Sequence, residues 1–151
     1  MKRSTLLSFY GAFLLAAIAG TPAAAHAHSR SCSLSGVAGT YGYTSSGSIP
    51  TLGAVAGVGH IALDSSGNAT GAQTVSFNGA IVPETLSGTY SVNADCTGTA
   101  TINVYHGGVL ARTSSFNLVY VNEQREFRAI FLTAGTVLTV NGRKTFSEEE
   151  D

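Results

Sequence analysis

The chain has 151 residues, with eight lysines and arginines against nine aspartates and glutamates. No basic stripe or basic face is visible, so the composition excludes a protein that binds nucleic acid through its phosphates. Without the leader described next, about 125 residues remain, which is enough for one domain with a modest core.

Residues 1–27 are typical of a secretory signal peptide. Lys2 and Arg3 form a charged start, an apolar run follows at 6–19, and 23–25 and 25–27 are small-x-small cleavage sites. The apolar run is about 14 residues long, whereas a membrane span needs about 20. We therefore expect a secreted or periplasmic protein that has no membrane span once the signal is removed.

The two cysteines, Cys32 and Cys96, are expected to form a disulfide, because an exported chain matures in an oxidising compartment. The bond would tie the loose start of the mature chain to the polar corner at 93–98. Two unpaired thiols are the alternative. A redox-active pair is not expected, because such cysteines normally lie close in sequence.

After Cys32 the chain alternates between β-rich segments and turn residues, with no helical periodicity of useful length. We predict a Ser/Gly loop at 44–50, a glycine-broken apolar segment at 52–57, and a hairpin turn at Asn78-Gly79. The strands are predicted at 39–43, 58–63, 69–77, 81–92, 97–105, 109–121, 126–133 and 137–146.

Short connections between these strands favour antiparallel pairing of sequential neighbours. Such a meander must hide its edge strands, and closure achieves this for about eight strands. The predicted fold is all-β, a single antiparallel up-and-down barrel at 28–146, followed by a disordered acidic tail at 147–151. A β-sandwich is the alternative, although no long connection forces the crossovers that it usually needs.

The segment 57–71 has the form G-x-G-x-[apolar]-x-[apolar]-D-x-x-G-N-x-x-G, and 88–99 contains an Asp-Cys-Thr-Gly corner. Together they resemble small exported bacterial proteins of uncharacterised function with a lipocalin-like (calycin) or allene-oxide-cyclase-like barrel. The resemblance covers about 32–144 and implies the barrel but no established activity. The chain lacks tryptophan, so the Gly-x-Trp hallmark of true lipocalins is absent. No catalytic residue of the cyclases can be carried over.

An eight-stranded barrel is about wide enough to be filled by side chains or to hold one small ligand. Seven residues are candidates for ligand binding in the lumen. Strand alternation nominates six of them, Tyr41, Phe77, Tyr90, Phe116, Tyr120 and Phe131, and Arg128 is the seventh, with its facing left open. If Arg128 faces inward it would anchor a carboxylate, and if it faces outward it would form a solvated pair with Glu126. Arg112 and Glu84 have the same ambiguity.

The leading functional hypothesis is binding of a small apolar or amphipathic ligand in the lumen. The alternatives are an allene-oxide-cyclase-like cyclase or isomerase, and a structural or interaction protein whose barrel is filled.

Gly59 and Gly88 either leave room for a ligand or bend the strands. No catalytic residue and no cofactor are predicted. A copper site at His26-Ala27-His28 would exist only if cleavage follows Ala25.

Overall fold

The computed structural model describes residues 31–145. The predicted signal peptide at 1–27, the His26-Ala27-His28 motif and the predicted acidic tail at 147–151 lie outside the described residues. Within 31–145, no helix is long and apolar enough to cross a membrane.

A four-residue helix precedes eight strands that form one closed sheet. Each strand pairs antiparallel with the next, and the last strand pairs with the first, so the predicted up-and-down barrel is confirmed and the β-sandwich alternative is wrong. The arrangement is consistent with a calycin-like fold. The elements are α1 (Leu34–Val37), β1 (Gly39–Ile49), β2 (Gly53–Leu63), β3 (Asn68–Phe77), β4 (Ala80–Tyr90), β5 (Thr97–His106), β6 (Val109–Val121), β7 (Glu126–Phe131) and β8 (Val137–Lys144).

The predicted loop at 44–50 is wrong, because β1 continues to Ile49 and β2 begins at Gly53. Ser45 lies opposite Gly57 of β2 and opposite Val140 of β8. Pairing on both sides fixes the backbone of this Ser/Gly segment as strand, although its composition favours a loop. The predicted Asn78-Gly79 hairpin is confirmed, since both residues have positive φ and join β3 directly to β4.

One end of the barrel, which we call the closed end, is covered by α1. Val37 is fully buried there, and the Tyr41 hydroxyl lies 2.7 Å from the Val37 carbonyl oxygen and 2.9 Å from that of Gln124. The Lys144 ammonium donates to the Gly36 carbonyl oxygen at 2.9 Å. The opposite end, which we call the mouth, is formed by the connections 50–52, 78–79, 107–108 and 132–136.

The predicted disulfide between Cys32 and Cys96 is confirmed. Beside it, the Cys32 amide donates to the Ala94 carbonyl oxygen at 3.2 Å. The bond joins the segment that precedes α1 to the connection between β4 and β5. It therefore holds the cover of the closed end in place.

Candidate ligand-binding lumen

The barrel encloses a cavity of about 110 Å³ that extends from the closed end towards the mouth. Its wall is mostly apolar, with Leu63 and Phe127 deep inside and Ile49 and Leu138 nearer the mouth. An engineered apolar cavity of about 150 Å³ takes a benzene molecule, whereas pockets for drug-sized ligands are several times larger. The lumen is smaller than that engineered cavity, so a single small ring or a short chain is the upper limit of what it holds, and a drug-sized ligand is excluded without rearrangement.

Five of the seven predicted lumen residues line this cavity, namely Phe77, Tyr90, Phe116, Tyr120 and Phe131. Phe116 and Phe131 pack edge to face with their ring centroids 4.8 Å apart, so they form one side of the wall. The aromatic part of the candidate set is thus brought together by alternation along β3, β4, β6 and β7.

The other two predicted residues lie elsewhere. Tyr41 is buried beneath the cavity at the closed end, where its ring is 5.4 Å from that of Phe127. Arg128 lies on the outer face, because its neighbours Phe127 and Ala129 point inward, and its guanidinium donates to Glu126 at 2.9 Å. Neither residue lines the cavity.

A polar cluster interrupts the apolar wall in the half of the barrel near the mouth. Arg112 donates to both carboxylate oxygens of Glu84, at 2.5 and 2.8 Å. Gln73 donates to Glu84 at 2.7 Å, and Tyr43 donates to Gln73 at 2.8 Å. Burial raises the pKa of Tyr43, and the Glu84 carboxylate raises it further. Tyr43 therefore keeps its proton and acts as the donor at one end of this chain of hydrogen bonds.

A β-bulge in β6 lies beside this cluster. Val104 of β5 is opposite Arg112, but the next residue, Tyr105, is opposite Leu110, so Ala111 is an extra residue in β6. Residues directly opposite in an antiparallel pair share a face. Arg112 therefore shares the inward face of the buried Val104. Leu110, only two residues away, is turned outward with Tyr105.

Two buried hydroxyl groups in the wall lack partners. Neither the Ser114 hydroxyl nor the Tyr120 hydroxyl has a hydrogen-bond partner among residues 31–145, and both residues line the cavity. Burial raises the pKa of Tyr120, helped by the nearby Tyr41 and Tyr90. The Tyr120 hydroxyl therefore keeps its proton at neutral pH. Leaving a buried hydroxyl unpaired costs about 1–3 kcal/mol.

Sequence reasoning did not consider Gln73 or Ser114 and left Glu84 and Arg112 unassigned. The alternation of inward and outward side chains along each strand was the sequence feature that could have identified all four as facing inward. Gln73 lies two residues before the buried Val75, Glu84 two before the buried Leu86, and Ser114 and Arg112 two and four before Phe116.

Gly59 and Gly88 do not widen the lumen. A side-chain carbon at Gly88 would press against the Thr101 carbonyl oxygen and lie 2.9 Å from the Ile102 Cα. A carbon at Gly59 would press in the same way against the Ala72 carbonyl oxygen. Both glycines therefore allow close approach of neighbouring strands, and they support the interpretation that they bend the barrel.

Across the part of the chain that the structure describes, no group of three or more His, Cys, Asp or Glu side chains is placed to hold a metal ion. Comparisons of the chain with protein-family models, curated proteins and solved structures found no match. The functional conclusion therefore depends on the lumen itself.

Proposed function

We propose that this protein is an exported lipocalin-like carrier that holds one small, mostly apolar ligand in the lumen of its barrel. The observation that carries the proposal is the apolar cavity with two unpartnered hydroxyls, those of Ser114 and Tyr120, in its wall. A ligand that hydrogen-bonds to either hydroxyl would offset the cost of burying it. A filled structural barrel has no use for either feature.

The wall also indicates the chemistry of the ligand. Glu84 and Arg112 neutralise each other, and the Glu84 carboxylate also accepts from Gln73, so the lumen offers no unpaired charge for a charged head group. A charge placed in an apolar cavity without a partner is strongly unfavourable. The best ligand has an apolar body and one neutral polar group, such as a hydroxyl or a carbonyl.

Export is part of the proposal. Residues 1–27 have the pattern of a cleaved secretory signal. The Cys32–Cys96 disulfide supports an oxidising compartment outside the cytoplasm. Analysis of the N-terminus of protein recovered from the exported fraction tests this part, and a mature chain that retains residues 1–27 would contradict it.

Native mass spectrometry of protein from its own exported fraction tests whether the lumen is occupied. We expect a reproducible extra mass that is lost on denaturation. Calorimetric titration of recombinant protein with toluene and p-cresol then measures whether the hydroxyls in the cavity wall contribute to ligand binding. Because p-cresol adds a hydroxyl to the same ring, we expect it to bind about fivefold more tightly than toluene, and we expect Tyr120→Phe combined with Ser114→Ala to remove this advantage.

A matched pair of variants locates the binding site. Ala129 lines the cavity, whereas Ala56 is exposed on the outer face of β2. We expect Ala129→Leu to weaken p-cresol binding about tenfold or more, because the new side chain occupies the cavity, and Ala56→Leu to have no effect. A bare native mass, together with no binding of either probe, would instead establish a filled structural barrel.

A cyclase or isomerase is the second candidate, favoured by the Glu84–Arg112 pair inside an otherwise apolar barrel. Such an enzyme would convert an unsaturated apolar substrate into an isomer of equal mass. If it does, Glu84→Gln should abolish turnover while p-cresol binding persists. A ligand recovered chemically unchanged after incubation would favour the carrier.

A further inference from the structure

We infer that the mouth of the barrel docks on a lipid bilayer by apolar burial, without a requirement for anionic head groups, so that an apolar ligand passes between bilayer and lumen without crossing water. This inference rests on the proposed function, because docking at the mouth serves a lumen that exchanges a ligand. Its test is nevertheless separable, since vesicle binding and ligand binding are measured independently.

Apolar side chains are concentrated around the mouth. In the described part of the chain, six of the nine exposed large apolar residues lie in the mouth connections or in the first two residues of the strands that leave them. Their exposed fractions range from 48 to 71%. Exposed apolar side chains concentrated in one region of a surface mark a contact with another apolar phase. We call these six residues the apolar rim: Leu52, Ile81, Val109, Leu110, Leu132 and Val137.

The bulge in β6 contributes directly to the apolar rim. In a regular strand with no bulge, Leu110 would share the inward face of Arg112, two positions further along the strand. With the bulge, Leu110 lies opposite Tyr105 and is exposed next to Val109. An irregularity in the strand thus places a leucine in solvent at the mouth while it keeps Arg112 inside.

Charged side chains on the outside of the barrel lie at the closed end, whereas the apolar rim lies at the mouth. Residues 31–145 include ten Lys, Arg, Asp and Glu residues, of which Glu84 and Arg112 pair with each other in the half of the barrel near the mouth, with the Arg112 side chain 35% exposed. The other eight lie in the closed-end connections 64–67, 91–96 and 122–125 or in the adjoining ends of β7 and β8. The four mouth connections contain none. Because charged groups resist transfer into a bilayer, only the mouth can enter the interface at low cost.

The charge balance also predicts how docking depends on the head groups. The eight outer charges are four acidic and four basic, and none is near the mouth. A basic patch is attracted to anionic head groups, but this mouth has no such patch, so docking gains nothing from them. We expect it to depend on apolar burial alone and to be insensitive to salt.

The shape of the mouth favours a fluid partner over a second copy of the chain. The apolar rim is distributed over separate connections around an opening, and Phe77 and Phe131 continue the apolar surface from the mouth into the cavity. Two rigid mouths placed face to face would touch only at their tips and would seal both lumens. Acyl chains can conform to all the tips and remain continuous with the cavity.

The absence of tryptophan from the chain allows a clean fluorescence test. Leu132→Trp places a reporter in the apolar rim, and Val58→Trp places a matched reporter on the outer wall, where Val58 is 60% exposed. We expect phosphatidylcholine vesicles to shift the Leu132→Trp emission to the blue and to leave the Val58→Trp emission unchanged. The same shift is expected with part of the phosphatidylcholine replaced by phosphatidylglycerol, at low and at high salt.

Two further variants distinguish failure of docking from failure of ligand binding. Ile81→Glu combined with Leu110→Glu charges the apolar rim and should weaken vesicle binding about tenfold or more, while p-cresol binding persists. Ala129→Leu should have the reverse effect. The inference is overturned by an unchanged Leu132→Trp emission at high lipid concentration, by equal shifts of both reporters, or by binding that requires anionic lipid. It is also overturned by a blue shift without vesicles that accompanies a dimer mass, which would assign the apolar rim to a second copy.

Discussion

The guanidinium of Arg112 donates to both carboxylate oxygens of Glu84 inside the barrel, where the Glu84 side chain is only 2% exposed. The Arg112 side chain is 35% exposed, so the buried member of the pair is Glu84, and removing Arg112 leaves the Glu84 carboxylate as an uncompensated buried charge. The pair therefore stabilises the lumen only as a unit.

Arg112→Met should lower the free energy of unfolding by about 3 kcal/mol, because it leaves the Glu84 carboxylate buried without its cation. Urea unfolding measures the change. Arg128→Met is the matched control, since its pair with Glu126 lies on the solvent-exposed outer face and should contribute much less to stability. Combining Arg112→Met with Glu84→Gln should restore most of the loss. Equal losses in the two single variants would contradict this account.

Two buried tyrosines should respond differently to loss of the hydroxyl. Tyr41→Phe removes the donor shared by the Val37 and Gln124 carbonyls and should lower the free energy of unfolding by about 1–3 kcal/mol. Tyr120→Phe removes a hydroxyl that has no partner within 31–145, so the ligand-free protein should be unchanged or slightly more stable. Thermal unfolding of the two variants side by side provides the comparison. A larger loss for Tyr120→Phe would show that its hydroxyl is satisfied in solution.

Stability should fall at alkaline pH. Burial raises the pKa of Tyr41, Tyr43 and Tyr120 above the ordinary value of about 10 at which tyrosines of the unfolded chain ionise. Above about pH 10 the unfolded state loses these protons first, so the stability present below that pH is lost as the pH rises towards the folded-state values. Urea midpoints measured from neutral to alkaline pH should show this fall, with a smaller decrease in Tyr120→Phe. A midpoint independent of pH would refute the role of these phenols.

Removing the disulfide should destabilise the protein and loosen the closed end. The Cys32–Cys96 link spans 64 positions, and the chain-entropy model assigns about 4 kcal/mol to a loop of this length, of which about 2–4 is typically measured. The double variant Cys32→Ser, Cys96→Ser should lose this amount in urea unfolding, and reduced wild-type protein should match it. Hydrogen exchange should rise most in α1. Unchanged exchange there would show that other contacts suffice to hold the helix.

Gly88→Ala should lower the free energy of unfolding by about 2 kcal/mol, because the added carbon meets the backbone of β5 at Thr101 and Ile102. Gly42→Ala provides the control. A carbon at Gly42 would lie 3.7 Å from a Thr145 methyl group, which is an ordinary contact, so stability should be unchanged or higher. Urea unfolding of both variants tests the difference. If Gly88→Ala were as stable as wild type, β4 and β5 would be able to move apart at this position without loss of stability, which would contradict the prediction.

The barrel was predictable because its hairpin turns contain the residue types that such turns require. Asn78-Gly79 and Gly107-Gly108 adopt the positive φ that two-residue hairpins need, and the flanking strands alternate. Alternation likewise located five aromatic lumen residues. The strand character of Ser45 was not predictable from local sequence, since it depends on pairing with both β2 and β8. Nor was the outward turn of Leu110, which depends on a bulge at Ala111 that only the register with β5 reveals.

The order of strands around the barrel has a consequence for folding. Seven of the eight pairings join strands adjacent in sequence, and one joins β1 to β8 across nearly the whole described chain. Local hairpins form quickly, whereas a contact between distant segments must first overcome the entropy of closing a long loop. We therefore expect closure of the ring to be the late and slow event. Until then β1 and β8 expose unpaired backbone groups, and this is the stage at which the chain is most open to edge-to-edge association with another copy.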